Sequence, residues 1–167
     1  MKKSVANFNQ LYTDYHADVY RFAYWISGSS EDAKDIAAET FIRLWTAKSD
    51  LKAQTVKGYL LTIARNIYLQ GRRKQKQQIE LDNTYIDPSP SPCDIAESQS
   101  EFSQFVKALQ TLPEIDRSIL IMKVYEGLTY NEISKLVGLS ISSLKVKIHR
   151  ARMKLALINS REKYNEN

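Results

Sequence analysis

Residues 127 to 155, GLTYNEISKLVGLSISSLKVKIHRARMKL, constrain the fold more than any other stretch, because signals to start, stop and restart a helix all fall in one short window. Thr129 and Glu132 stand in the S/T-x-x-E relation of a capping box, where a hydroxyl and a carboxylate satisfy two backbone N–H groups left over at a helix start. The helix opening there carries Ile133, Leu136 and Val137 on one face. It stops at Gly138, a residue type that enters the left-handed conformation without a Cβ penalty. Ser140 is placed to cap the next helix, whose residues Ile141, Leu144, Ile148, Ala151, Leu155 and Ile158 alternate spacings of three and four. At about 100° per residue, the side opposite this stripe holds Ser142, Ser143, Val146, His149 and Arg150.

Helix, tight glycine turn and capped helix form the pattern of a helix-turn-helix, whose second helix enters the DNA major groove. An αα-hairpin packed into a bundle would show the same lengths and the same glycine. Charge separates the two readings. From Ile133 through Arg161 there is no Asp or Glu, while Lys135, Lys145, Lys147, Arg150, Arg152, Lys154 and Arg161 are basic. A merely solvated helix mixes signs for i,i+4 pairing, so the one-sided charge favours DNA.

The whole chain repeats this theme. Its net charge is +5, which suits a polyanionic partner. Residues 51 to 79 hold Lys52, Lys57, Arg65, Arg72, Arg73, Lys74 and Lys76 and no acid, whereas residues 80 to 101 hold six acids and no base. Two basic blocks are thus separated by an acidic one. With 167 residues the chain can form one domain or two small ones. A single cysteine, Cys93, excludes an internal disulfide and fits a reducing cytosol. No apolar run reaches the length of a membrane span, and the N-terminus lacks the apolar region of a secretory signal.

Taken in order, Phe8, Leu11, Tyr12, Tyr15, Val19, Phe22 and Ile26 predict a first helix ended by Gly28. A second, EDAKDIAAETFIRLW, buries Ala33, Ile36, Ala37, Thr40, Phe41 and Leu44 and leaves Asp32, Asp35, Glu39 and Arg43 outside. A loop over 47–57 follows, with Thr55 capping a third helix through Tyr59, Leu60, Ile63, Ala64, Ile67 and Tyr68 that bends or ends near Gly71. Basic residues interleaved with Tyr59, Tyr68 and Trp45 are the ingredients of a surface for single-stranded nucleic acid; the same aromatics would equally fill a core. Pro88, Pro90 and Pro92 make residues 79–93 an acidic, Pro-rich flexible linker. A further helix opens at Asp94, and Pro113 fits the first turn of the next, which Gly127 closes. The expected architecture is all-α: two small helical domains, 1–78 and 94–167.

Catalytic signatures are missing. His16 and His149 are far apart, and no H-x-x-x-H, C-x-x-C or phosphate-cradling glycine loop occurs, so neither an enzyme nor a cofactor or metal is expected.

Three ordered segments carry a family resemblance. EDAKDIAAETFIRLW resembles the core-binding segment of the extracytoplasmic-function (ECF) group of bacterial RNA polymerase sigma factors. GYLLTIARNIYLQGRRK resembles its promoter-melting, minus-10 reading segment, and the stretch from Ala108 to Leu155 its minus-35 reading domain. The resemblance implies a cytoplasmic, non-catalytic subunit with a sigma domain 2-like bundle and a sigma domain 4-like helix-turn-helix domain. Its partners would be core RNA polymerase, through the clamp helices and flap, and promoter DNA, both duplex and melted strand. An anti-sigma factor is a further partner common in the group, often wedged between the domains. By position, Asp32, Asp35, Glu39, Phe41 and Arg43 would bind core polymerase. Lys57, Tyr59, Arg65, Asn66, Arg72 and Arg73 would read the minus-10 strand, with the loop before Lys57 taking an extruded base. Ser142, Ser143, Lys145, Val146, His149 and Arg150 would read the minus-35 element, with Arg150 foremost because Arg can bind guanine bidentately. Ala38 stands where the family commonly has Gln, and Gln70 and Gly71 where it tends to Asp. The competing reading is a stand-alone helix-turn-helix regulator that binds duplex DNA without polymerase; it would leave the first domain idle.

Overall fold

The computed structural model of the chain describes residues 2–47, 55–82 and 101–165. Seven α-helices and no strand lie among them: α1 (Lys2–Ser27), α2 (Ser30–Thr46), α3 (Val56–Asp82), α4 (Glu101–Gln110), α5 (Glu114–Val124), α6 (Tyr130–Val137) and α7 (Ile141–Asn165). The all-α expectation is met.

Local chemistry sets most of the boundaries. Gly28 takes φ +73° just past α1, and its N–H closes on the Tyr24 carbonyl at 2.8 Å. Ser29 caps α2, its hydroxyl accepting from the Asp32 N–H, and Glu31 and Asp32 lie at the positive end of the helix dipole. Thr55 caps α3 through a bond accepted from the Gly58 N–H at 3.3 Å. Val56 and Lys57 are helical, and residues 48–54 of the expected loop lie outside the described residues.

One boundary differs from expectation. The α3 helix neither bends to a stop nor ends at Gly71 but runs on to Asp82, so 79–82 are helix rather than linker. A single glycine costs a helix about 1 kcal/mol, and the Arg, Lys and Gln residues that follow are good helix formers that propagate a turn already nucleated. Residues 83–93 of the expected linker, and the helix start expected at Asp94, lie outside the described residues.

Helices α1 to α3 pack on one another around Val19, Phe22, Ile26, Ile36, Phe41, Leu60 and Ala64, and α4 to α7 around Leu109, Ile119, Ile121, Ile133, Leu144 and Ile148. These two sets belong to one continuous buried cluster. The halves therefore touch: α1 packs on α4 and α5, and α3 packs on α6. Trp25 of α1 meets the Tyr125 ring at 4.7 Å and the Phe105 ring at 6.3 Å, and the Gln110 amide donates to the Trp25 carbonyl at 2.9 Å. Gly58 permits the approach of α3 to α6, since a Cβ there would stand 3.1 Å from Leu136 Cδ1 and 3.0 Å from the Thr55 hydroxyl. The sequence suggested separate domains because the acidic, Pro-rich residues 79–93 read as a flexible linker between two helical halves.

Candidate nucleic-acid interface

The turn between α6 and α7 is built as its residues require. The Thr129 hydroxyl accepts from the Glu132 N–H at 3.2 Å, while the Glu132 carboxylate accepts from the Thr129 N–H at 2.6 Å and from its hydroxyl at 2.8 Å. These bonds, the backbone one foremost, hold the Glu132 carboxyl below the usual carboxylate range. Gly138 adopts φ +70° and its N–H reaches the Ser134 carbonyl at 2.9 Å. The Ser134 hydroxyl donates across the turn to the Leu139 carbonyl at 2.6 Å, and Ser140 accepts from the Ser143 N–H at 3.2 Å.

Leu144, Ile148 and Ala151 bury α7 against the second half, while Leu155 and Ile158 are half-buried and Ile141 lies at the exposed start of the stripe. On the opposite side Ser142, Lys145, Val146, His149 and Arg150 are exposed and Ser143 is half-exposed. Two basic residues of the acid-free stretch turn elsewhere: Lys147 donates to Asp116 of α5 at 3.1 Å and Lys154 to the Thr111 carbonyl. Sequence reasoning missed Tyr130, over whose ring the ammonium groups of Lys123 and Lys145 lie at 4.6 Å and 5.6 Å. An aromatic directly after a helix cap, with lysines on neighbouring elements, was the available signal.

The residues expected on the minus-10 surface divide between two sides of α3. Lys57 and Arg65 share the side that meets the second half, together with Gly58, Leu61 and Tyr68, as their helical spacing requires. Arg65 donates through Nε and Nη2 to the two oxygens of Glu114, both at 2.7 Å. Lys57 pairs with Glu126 at 2.9 Å and Asp18 at 3.3 Å. Burial works against the Lys57 charge, but hydrogen bonding and the Glu126 and Asp18 carboxylates outweigh it and raise the pKa above the ordinary lysine value. Tyr59, Asn66 and Arg73 recur every seven residues and so share a second side of α3, on which Asn66 and Arg73 are exposed. Arg72 is exposed as well and lies near Arg117. The loop expected to take a base falls mostly outside the described residues.

Along α2, Asp32 and Asp35 are exposed and Glu39 is partly so. With Ile36, Ile67, Tyr68, Gly71 and Arg72 they line a groove of about 500 Å³. Phe41 does not belong to this surface: it is 3% exposed and packs on Tyr12 at 4.9 Å, His16 at 6.0 Å and Phe8 at 6.4 Å. Its place on the buried stripe decides this, since a side chain that fills the core cannot also dock outside. The large apolar side chains that α2 does expose are Ile42 and Trp45, each more than half accessible. Ile42 lies off the buried stripe, which was the signal for it. Arg43 donates to Glu39 at 2.9 Å and to the Gln70 side chain at 3.0 Å, so Gln70 ties α3 to α2. Among the described residues no group of three or more His, Cys, Asp or Glu could hold a metal, and no helix is long and apolar enough to cross a membrane.

Two family models match the chain: sigma-70 region 2 over residues 11–78 and sigma-70 region 4 over residues 102–155. The chain is similar to the ECF RNA polymerase sigma factor SigE of Mycolicibacterium smegmatis, with 32% identity covering 84% of this chain and 57% of that protein. It is 31% identical to ECF RNA polymerase sigma factor EcfG of Rhodopseudomonas palustris, covering 82% of this chain and 76% of that protein. With the ferric citrate uptake sigma factor FecI of Escherichia coli the identity is 30%, covering 86% of each. Among solved structures, the sigma factor RpoE from Bartonella quintana, in complex with the anti-sigma factor NepR, shares the fold: TM-score 0.78, 23% identity, 92% of this chain and 97% of that one.

Proposed function

Because the chain belongs to the extracytoplasmic-function group of sigma-70 factors, we propose that it binds core RNA polymerase in the cytoplasm, directs it to promoters and helps to open them, without catalysing a reaction itself. Residues 1–78 serve the polymerase and the minus-10 strand, 94–167 the minus-35 duplex, and the segment that follows α3 links them. Asp32, Asp35, Glu39 and Arg43 offer the polymerase a charged rim, and exposed Ile42 and Trp45 add apolar contact beside it. Asn66 and Arg73 take the melted strand together with Lys57 and Arg65 once those are released from their carboxylates. Unpairing costs a few kcal/mol, and a cationic surface that binds only the separated strand offsets that cost. An anti-sigma factor fits this reading as a competitor for the same faces.

The observation that carries the proposal is the exposed, acid-free face of α7, held on a capped turn in a chain whose first half matches sigma region 2. Purified chain is expected to comigrate with core polymerase and to yield transcripts from linear promoter templates. Duplex binding without comigration would instead identify a stand-alone regulator. Arg150→Ala is expected to lose about 1–3 kcal/mol of discrimination at the upstream element, read by competition between wild-type and altered duplexes. An equal loss on every sequence would make Arg150 a phosphate ligand only.

A further inference from the structure

Asp18 and Arg21 of α1, Lys57 of α3 and Glu126 of the turn after α5 meet in one ion cluster. The Glu126 carboxylate is fully enclosed, and it accepts from Arg21 Nε at 3.1 Å, from Arg21 Nη2 at 2.9 Å and from Lys57 Nζ at 2.9 Å. Asp18 holds the same two cations from the α1 side, at 2.8 Å for Arg21 and 3.3 Å for Lys57. About 12 Å further along the same side of α3, Arg65 grips Glu114 bidentately. Every cation here belongs to the first half. The carboxylates that fill them, Glu126 and Glu114, belong to the second.

A carboxylate and a phosphodiester make the same demand on a guanidinium, two anionic oxygens facing two parallel N–H donors. We infer that Arg65 and the Arg21–Lys57 pair are two subsites for backbone phosphates of the melted strand, filled in the closed chain by Glu114 and Glu126, which must leave before the strand enters. This rests on the minus-10 role proposed for α3 and adds to it a residue on α1, Arg21, and an occupant. With Glu126 seated, two cations and two carboxylates cancel. When Glu126 withdraws the cluster is left with one net positive charge, and Asp18 keeps both cations in place for the next anion. The seam around these pairs is not optimised for permanence. Arg117 is buried between Tyr68 and Gln110, yet its Nε has no partner among the described residues, and a buried cation with an unmade bond is costly. Ion pairs drawn partly out of water are themselves close to balanced against their hydrated parts, so the closed form is one the charges can leave.

The test uses the full chain and a fluorescent oligothymidylate. Glu114→Gln combined with Glu126→Gln removes the competing charges at nearly constant size. In that variant the radius of gyration is expected to rise above the value of about 15 Å for a compact chain of this length. The oligonucleotide should bind roughly tenfold more tightly, and the slope of log affinity against log salt should steepen by about 1.4, as two more phosphate contacts require. Adding Arg21→Gln should return about 0.7 of that slope. No expansion and no gain in affinity would overturn the blockade. Expansion without gain, or a slope indifferent to Arg21→Gln, would overturn the phosphate assignment. Should the double variant lose its helical circular dichroism, Glu114→Arg alone should expand the chain and Glu114→Arg with Arg65→Glu should restore it; a single variant as compact as wild type would overturn the latch. Asn66→Ala, on a different side of α3 from both pairs, separately tests the minus-10 reading: normal opening of a duplex promoter by that variant would remove the reading itself.

Discussion

Glu132 shows how much one side chain can settle. Its carboxylate closes the capping box that starts α6, and the bonds it accepts from Thr129 hold its pKa below the ordinary carboxylate value. Since the folded pKa is the lower one, the stabilisation is present above the ordinary glutamate pKa of about 4.3 and is lost as pH falls through the depressed value. Urea unfolding of wild type and Glu132→Gln should therefore differ most near neutrality, with wild type the more stable, and should converge only once the pH has fallen below the depressed folded pKa. A gap independent of pH would show that the charge contributes nothing to the cap. This box was legible because both partners lie within one turn. Arg65 and Lys57 were legible only as basic residues, since the carboxylates they meet stand 49 and 69 positions away.

Among the elements, α6, its turn and α7 follow from sequence almost completely, for each boundary is set by a residue next to it: Thr129, Gly138 and Ser140. The end of α3 does not. Gly71 and the acidic residues beyond it signal a stop, while the helix in fact continues through a run of long polar side chains to Asp82. A Cβ on Gly71 would meet nothing within 4 Å, so Gly71→Ala should stabilise the chain by about 1 kcal/mol, seen as a higher denaturant midpoint at unchanged slope. A lower midpoint would mean that the glycine answers a constraint other than space. Phe41 and Ile42 mark the same limit on α2. Periodicity names the buried stripe correctly, but assigning Phe41 to the polymerase as well asked one ring to face two ways.

At the scale of the molecule, the two halves were each foreseeable and their contact was not. Trp25 stands far along the sequence from Phe105 and Tyr125, and only the folded chain shows them sharing a seam. Gly58 is where that seam can be forced. Gly58→Leu should push α3 off Leu136 and Leu128, raising the radius of gyration in scattering while helical circular dichroism holds. An unexpanded chain would show that the halves yield locally instead of parting. The bond from Ser134 to the Leu139 carbonyl carries a different consequence. With both helix ends capped and the turn pinned between them, α7 would, on the proposed function, reach DNA already aimed, so its docking would have little configurational freedom left to surrender. The heat-capacity change of duplex binding by this half should then scale with the apolar surface covered, carrying none of the excess that marks a segment folding as it binds.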